Sequence, residues 1–313
     1  MYEVRVKKLT IEDKEKIILM NSEKKLLLLG QSGLFAQAVL RQAGLSSYKV
    51  IVLSRAQGTD LSKISSFNSL KDIFNQIKPD LLINAVGVTD LRLCEQNPEY
   101  AWNLNARLPS MIAKWANQTL CPWVHISTDH FFNDEGNILH DENSLVKPLN
   151  EYASSKFAGE SLALTSSTAL VIRTNIIGKR GWTGKQNFAE WAISCLQKQT
   201  LIEAYIDTWA SSIEVGQFTK LLMKLVESDE KGLINLASSE SISKADLIEK
   251  IAYRMKLSTK YINRIKTPMP SNDQIKRSRS MGLDCSKAQK TLKKLGLKLP
   301  NTDQVVDALI KNF

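Results

Sequence analysis

The sequence predicts an α/β fold, a Rossmann-type doubly wound parallel sheet followed by a smaller C-terminal lobe. Three observations carry this. From Lys24 onward, short apolar runs alternate with segments of helical spacing. The runs are apolar almost throughout, as in Leu26-Leu27-Leu28-Leu29, which is how strands covered on both faces read. The first run enters a glycine turn that leads straight into a helix. Alternation of this kind places helices over a parallel sheet.

Residues 25–30 are the first strand and 34–44 the first helix, closed by Gly44. Residues 49–55 form the second strand, 67–77 a helix and 80–86 the third strand. A long amphipathic stretch over 98–118 leads to a fourth strand at 122–127. A helix through EYASSKFAGESLAL precedes a fifth strand at 169–174. Beyond Arg173 the order loosens. A Gly/Lys/Arg-rich loop (179–186) and a helix (187–197) precede strands near 200–206 and 233–237, both expected to return to the main sheet. Helices near 243–255, 286–295 and 302–312 complete the chain. The domain reading is a dinucleotide-binding domain at 23–174 and a substrate-binding lobe over most of 175–313. Residues 1–22 lie outside the alternation as an extension of unknown role. They are either an added arm or a leader to a start at Met20.

With 313 residues, 43% of them hydrophobic, the chain can bury a sizeable core. No apolar run approaches the roughly 18 residues of a membrane span. The charged N-terminus lacks an apolar signal region, so a cytoplasmic protein is expected. Cys94, Cys121, Cys195 and Cys285 are scattered, and His125, His130 and His140 lack zinc-type spacing, so neither disulfides nor a metal site are expected. The net charge of +10 suits an anionic partner. The densest basic stretches, Lys276-Arg277-Ser278-Arg279 and 290–298, belong to no nucleic-acid module, which leaves a phosphate-bearing small molecule or solvated surface.

The turn Gly30-Gln31-Ser32-Gly33-Leu34-Phe35-Ala36 has the spacing G-x-x-G-x-x-A. The first glycine permits a tight turn, the second lets backbone approach a pyrophosphate, and Ala36 lets helix and strand pack closely. The second strand ends Leu53-Ser54-Arg55, where an NAD-preferring site usually has an acid. An arginine there can hold a 2′-phosphate, so NADP(H) is preferred, with NAD(H) as the alternative. Asp60 and Leu61 are placed to meet the adenine. Tyr152 and Lys156 stand four apart on a helix and so share a face. An ammonium beside a phenol lowers its pKa and readies it to give up a proton. Thr128, at the carboxyl end of the fourth strand, supplies a hydroxyl to the same space. Alone, the Tyr/Lys pair reads more readily as an exposed helix face.

Together these features resemble the extended short-chain dehydrogenase/reductase superfamily, in its dTDP-4-dehydrorhamnose reductase-like, sugar-nucleotide branch. The motifs are GQSGLFA, INAVGVTDLRLCE (83–95), NLNARLP (103–109), HISTDHFF (125–132), PLNEYASSKFAGE (148–160), RTNIIG (173–178) and SMGLDCSKAQKTLKKLG (280–296). The resemblance implies that Thr128, Tyr152 and Lys156 are the catalytic triad of a keto reductase. Ala85, Val86, Gly87, Asn105 and Ser127 would join the cofactor site. Thr89, Asp129, His130, Asn175, Ile176 and Arg277 would face the substrate, and the protein would be a homodimer. The sequence departs from the branch where the sugar is read. His130 replaces a tyrosine, Thr174-Asn175-Ile176 replaces Thr-Ser-Trp, and Ala153 replaces a glycine. Dehydratases similar to this fold carry an acid where this chain has His130, which disfavours elimination. An NADP-binding partner subunit without turnover and a sugar-nucleotide epimerase remain as alternatives. Trp182 and Trp209 are candidate stacking groups, and Arg279 joins Arg277 as a candidate diphosphate ligand.

Overall fold

A computed structural model describes residues 24–313 apart from 43–47, 65, 133, 181–184 and 270–273. The expectations for residues 1–22, Gly44 and Trp182 lie outside the described residues. Six strands form one parallel sheet: β1 (Lys24–Leu29), β2 (Tyr48–Leu53), β3 (Leu81–Asn84), β4 (Trp123–Ile126), β5 (Ala169–Arg173) and β6 (Gly232–Asn235). Their spatial order is β6-β5-β4-β3-β1-β2. The order reverses between β1 and β3, and at such a switch point a crevice opens beyond the carboxyl ends of the strands.

Side chains along a strand alternate between faces, so a sheet with two cores needs apolar residues at every position. Leu26 and Leu28 join Ile83, Val124 and Ile172 in one core. Leu27 and Leu29 join Leu82, Trp123 and Val171 in the other. All four leucines are at most 2% exposed.

A third core lies in the C-terminal lobe. Helices Phe188–Lys198, Lys244–Arg254 and Thr302–Ile310 meet there through Ile193, Leu196, Ile248, Ile251 and Val306. The segment near 233–237 contributes β6, which pairs with β5. The strand expected near 200–206 does not return to the main sheet. Residues Ile202–Tyr205 pair in parallel with Ile262–Ile265 instead. The reason is one-sided burial: Ile202 and Ala204 are buried in the lobe while Glu203 is exposed. A strand with one wet face is unsuited to the middle of a sheet covered on both sides. Short strands Asn175–Ile177 and Ser212–Glu214 pair at the junction of the two halves. Among the described residues, no helix is long and apolar enough to cross a membrane.

Candidate active site

One cleft of about 1110 Å³ runs along the carboxyl ends of the strands, larger than most small-molecule pockets. At one end lies the glycine turn. Gly30 has φ +90°, and a Cβ there would stand 3.1 Å from Val86 Cγ2, so a side chain would be strained as well as crowded. Its N–H donates to Leu53 O (2.9 Å), tying the turn to the end of β2. Helix Leu34–Gln42 begins immediately after, so unpaired N–H groups of its first turn lie at the cleft. Gln31, Ser32, Gly33, Leu34 and Phe35 all line this end. So do Ser54, Arg55, Asp60 and Leu61. Ser54 is already engaged, with its hydroxyl in hydrogen-bonding distance of Gln31 Oε1 and Gln57 Oε1. Asp60 caps the turn Leu61–Lys63 by accepting from Ser62, which holds its carboxyl below the usual range. Arg55 is exposed at the lip.

The next wall is the loop Ala85-Val86-Gly87. Asn84 Oδ1 accepts the Val86 N–H (3.1 Å). Asn105 is fully buried, and its amide serves Val88 at both ends: Oδ1 accepts from Val88 N (2.8 Å) and Nδ2 donates to Val88 O (3.0 Å). Nδ2 also donates to Ser155 Oγ (3.0 Å), on the helix Glu151–Ala163. Asn105 therefore ties the loop after β3 to the helix that carries Tyr152 and Lys156. It sits where the expected continuous helix over 98–118 is interrupted. Residues Asn103–Arg107 form a widened turn, with Leu108 N–H bonded to Asn103 O. Such turns recur at functional sites. Gly159 lets the next helix approach: a Cβ there would lie 1.8 Å from Asn105 O.

Thr128, Tyr152 and Lys156 all line the cleft and are 3%, 7% and 4% exposed. Asn150 caps the helix of Tyr152 and Lys156 by accepting from Ala153 N (2.8 Å). Lys156 Nζ donates to Ile126 O (2.5 Å). Burial brings Lys156 down to about 8, with the charge of Glu160 opposing it. Burial also pushes Tyr152 well above its ordinary value, and the Thr128 hydroxyl opposes it. The expected lowering of Tyr152 by Lys156 is thus corrected: burial outweighs, and the groups that act on the phenol are Thr128, Asp129 and Cys94. Ser127 also lines the cleft, but its hydroxyl donates to Glu160 Oε2 (2.7 Å). Glu160 in turn pairs with the buried Arg173 at 2.6 Å. That hydroxyl belongs to a network beneath the site.

At the lobe end, Thr89, Asp129, His130, Asn175 and Ile176 line the cleft. Asp129 Oδ2 accepts from Asn175 Nδ2 (2.6 Å), and burial raises Asp129 to about 7. The His130 ring meets Tyr152 edge to face at 5.6 Å, and burial lowers His130 to about 4. Arg277 is exposed and stands outside the cleft lining. Its segment is anchored next to the Tyr152 helix, since Asn150 Nδ2 donates to Lys276 O (2.8 Å). Arg279 lies 3.6 Å from Asp207 and is not among the residues that line the cleft. Trp209 sits in the short strand Trp209–Ala210, away from the cleft lining. Thr174 and Phe188 also line the cleft, and Lys244 lies over the Phe188 ring; the sequence reading gave none of them a place in the site. Thr174 had a signal, since it follows β5 much as Thr128 follows β4.

Residues 24–313 match the family described as RmlD substrate binding domain, and the chain belongs to that family. The probable low-salt glycan biosynthesis reductase Agl14 of Haloferax volcanii is 27% identical over 60% of this chain and 64% of its own length. The dTDP-4-dehydrorhamnose reductase of Salmonella typhimurium is 31% identical over 47% of this chain and 48% of its own. The alignments therefore span less than two thirds of these relatives. A crystal structure of dTDP-4-dehydrorhamnose reductase from Bacillus anthracis, in complex with NADP, superposes with a TM-score of 0.80 at 18% identity, covering 93% of this chain and 99% of that one. That similarity establishes a shared fold.

Proposed function

We propose that the protein reduces the 4-keto group of a nucleotide-activated deoxysugar with NADPH, as a step in making a surface polysaccharide or glycan. The observation that carries this is convergence: Thr128, Tyr152 and Lys156 face the same cleft as the glycine turn. The residues fit the cofactor. The strained Gly30 leaves backbone free to approach a pyrophosphate, and the first turn of helix Leu34–Gln42 offers N–H groups to it. Arg55, with no acid beside it on the strand end, suits a 2′-phosphate. The bound cofactor supplies the hydride. The NADP complex of the Bacillus anthracis reductase and the reductase name of the Haloferax volcanii relative support the reading.

The chain's own groups do the rest. Tyr152 holds its proton firmly in the free protein, so it is present as the acid that a developing alkoxide requires. Thr128 sits beside it to donate to the same oxygen. Lys156, carried on the same helix face and donating to Ile126 O, stays charged below about pH 8 and faces the cleft where the cofactor would lie. The deep burial of all three keeps water from competing.

The test is loss of NADPH absorbance with dTDP-4-keto-6-deoxy-L-mannose, wild type against Tyr152→Phe. Turnover in the wild type, reduced roughly 10²–10⁴-fold in the variant, is the expected result. Undiminished turnover in the variant would sink the mechanism. A wild type that binds NADPH yet consumes none with any keto-sugar nucleotide would make the protein a binding subunit.

A further inference from the structure

Asp129 follows Thr128 directly, lines the cleft and is 1% exposed. Among the described residues its ion-pair neighbour is His130, whose Nε2 stands 3.9 Å from Oδ1 and which burial keeps neutral above about pH 4. Lys244 acts on the carboxyl from farther away. Tyr152, which also feels it, brings no positive charge. A carboxyl in this setting keeps its proton, since an unpaired buried charge is costly. Its value of about 7 agrees.

The two oxygens of that carboxyl have different neighbours. Oδ2 accepts from Asn175 Nδ2 at 2.6 Å. The amide is held in this orientation, because Ser212 Oγ donates to Asn175 Oδ1 at 2.9 Å. Ser212 and Asn175 are partners in register across the short strands Ser212–Glu214 and Asn175–Ile177, so backbone sets their meeting. An oxygen that accepts an N–H so closely is not the one that carries the proton. The proton belongs on Oδ1, which lies 3.4 Å from Thr128 Oγ1. A threonine hydroxyl has one proton and two lone pairs. One lone pair takes the His130 N–H (3.3 Å). A carboxylate at Asp129 would draw the hydroxyl proton to itself. A carboxyl protonated on Oδ1 instead fills the second lone pair and leaves the Thr128 proton for the cleft. We propose that Asn175 and Ser212 are positioning residues: they fix the carboxyl proton of Asp129 on the Thr128 side, so that Asp129 donates to Thr128 and Thr128 donates to the keto oxygen. This rests on the reductase reading given above. It uses Asn175, one of the positions where the sequence departs from the branch it resembles.

The experiment uses the full chain as wild type, Asn175→Ala, Ser212→Ala and Asp129→Asn. NADPH consumption with dTDP-4-keto-6-deoxy-L-mannose is followed from about pH 5 to about pH 9, and the Asp129 carboxyl by NMR of carbon-labelled aspartate. In the wild type kcat is expected to fall as pH rises through about 7, because the carboxylate then accepts from Thr128. Asp129→Asn carries an amide that donates from the same place at every pH, so that fall disappears. A fall that persists there belongs to Lys156, at about 8, and overturns the proposal. Asn175→Ala lowers kcat about tenfold with KM within about twofold of wild type, and Ser212→Ala acts the same way less strongly. Losing the Asn175 N–H also moves the Asp129 midpoint upward, by about one pH unit. Wild-type kcat in Asn175→Ala, or a change in KM alone, overturns the proposal. If the wild type consumes no NADPH, the reductase reading falls and the carboxyl signal decides alone: a raised midpoint in Asn175→Ala supports the arrangement, and an unmoved one overturns it.

Discussion

At the sheet end of the cleft, Asn105 has its amide bonded to Val88 and Ser155, and Asn84 holds Val86. At the lobe end, among the described residues, His130 Nδ1 and Thr174 Oγ1 are buried without a hydrogen-bond partner, and Lys244 lies over the Phe188 ring with Arg277 and Asp129 acting on it. The loop of the first wall is braced by the protein's own hydrogen bonds. The second mixes bonded groups, such as Asp129 with Asn175, with polar atoms that have no partner among the described residues. A wall of the first kind suits a cofactor common to a family, since its shape is set by backbone. His130 and Asn175, where the sequence departs from the branch it resembles, lie in the second wall.

Breaking the finished wall should cost fold stability. Gly159→Ala puts a methyl group 1.8 Å from Asn105 O. Backbone meets it, so relief requires the helix and the widened turn to separate. A loss of at least about 3 kcal/mol is expected in urea denaturation. A variant as stable as wild type would show that the two segments are not locked together.

The boundary between the walls should be sensitive to pH. Asp129 is held near 7 in the folded protein against an ordinary value of 3.8. Between these values the unfolded chain releases a proton that the folded one keeps. Stability therefore falls as pH rises from about 4 to about 7, and levels off above. Asp129→Asn removes the titrating group and should flatten that decline in denaturation curves taken across the window. Parallel curves for the two proteins would place Asp129 in a less buried setting than the fold gives it.

Asn105→Ala strands the Val88 N–H and carbonyl, at about 1–3 kcal/mol of stability. It should also weaken NADPH binding, read by fluorescence titration, because the loop 85–87 loses its anchor. Destabilisation with unchanged NADPH affinity would separate the loop from the cofactor. Arg55→Ala should have the smallest effect, since the side chain is exposed and touches only the lip. A roughly tenfold loss of preference for NADPH over NADH is expected, which is about 1.4 kcal/mol. An unaltered preference would move recognition of the 2′-phosphate elsewhere.

What the sequence revealed follows the same division. Gly30, Gly33, Tyr152 and Lys156 were legible because their spacing is local and their chemistry depends on neighbours within one turn. Thr128 was legible because the carboxyl end of a parallel strand is where ligands sit. The place of Lys244 over Phe188 was not, because it arrives from a helix far along the chain and no local pattern marks it. The break at Asn103–Arg107 was hidden as well, since apolar spacing continues through a turn that gains one residue. The misplaced strand Ile202–Tyr205 did carry a signal, its alternation of Ile202, Glu203 and Ala204, which a count of apolar residues overlooks. The Tyr152 pKa was misjudged because the sequence names the ammonium but not the depth of burial.

The most direct test of the reductase account uses NADPH carrying deuterium at its transferable position, with dTDP-4-keto-6-deoxy-L-mannose as acceptor and mass spectrometry of the product. The account predicts one deuterium on the carbon that bears the new hydroxyl. Product with no label, or full NADPH binding with no product, would contradict it.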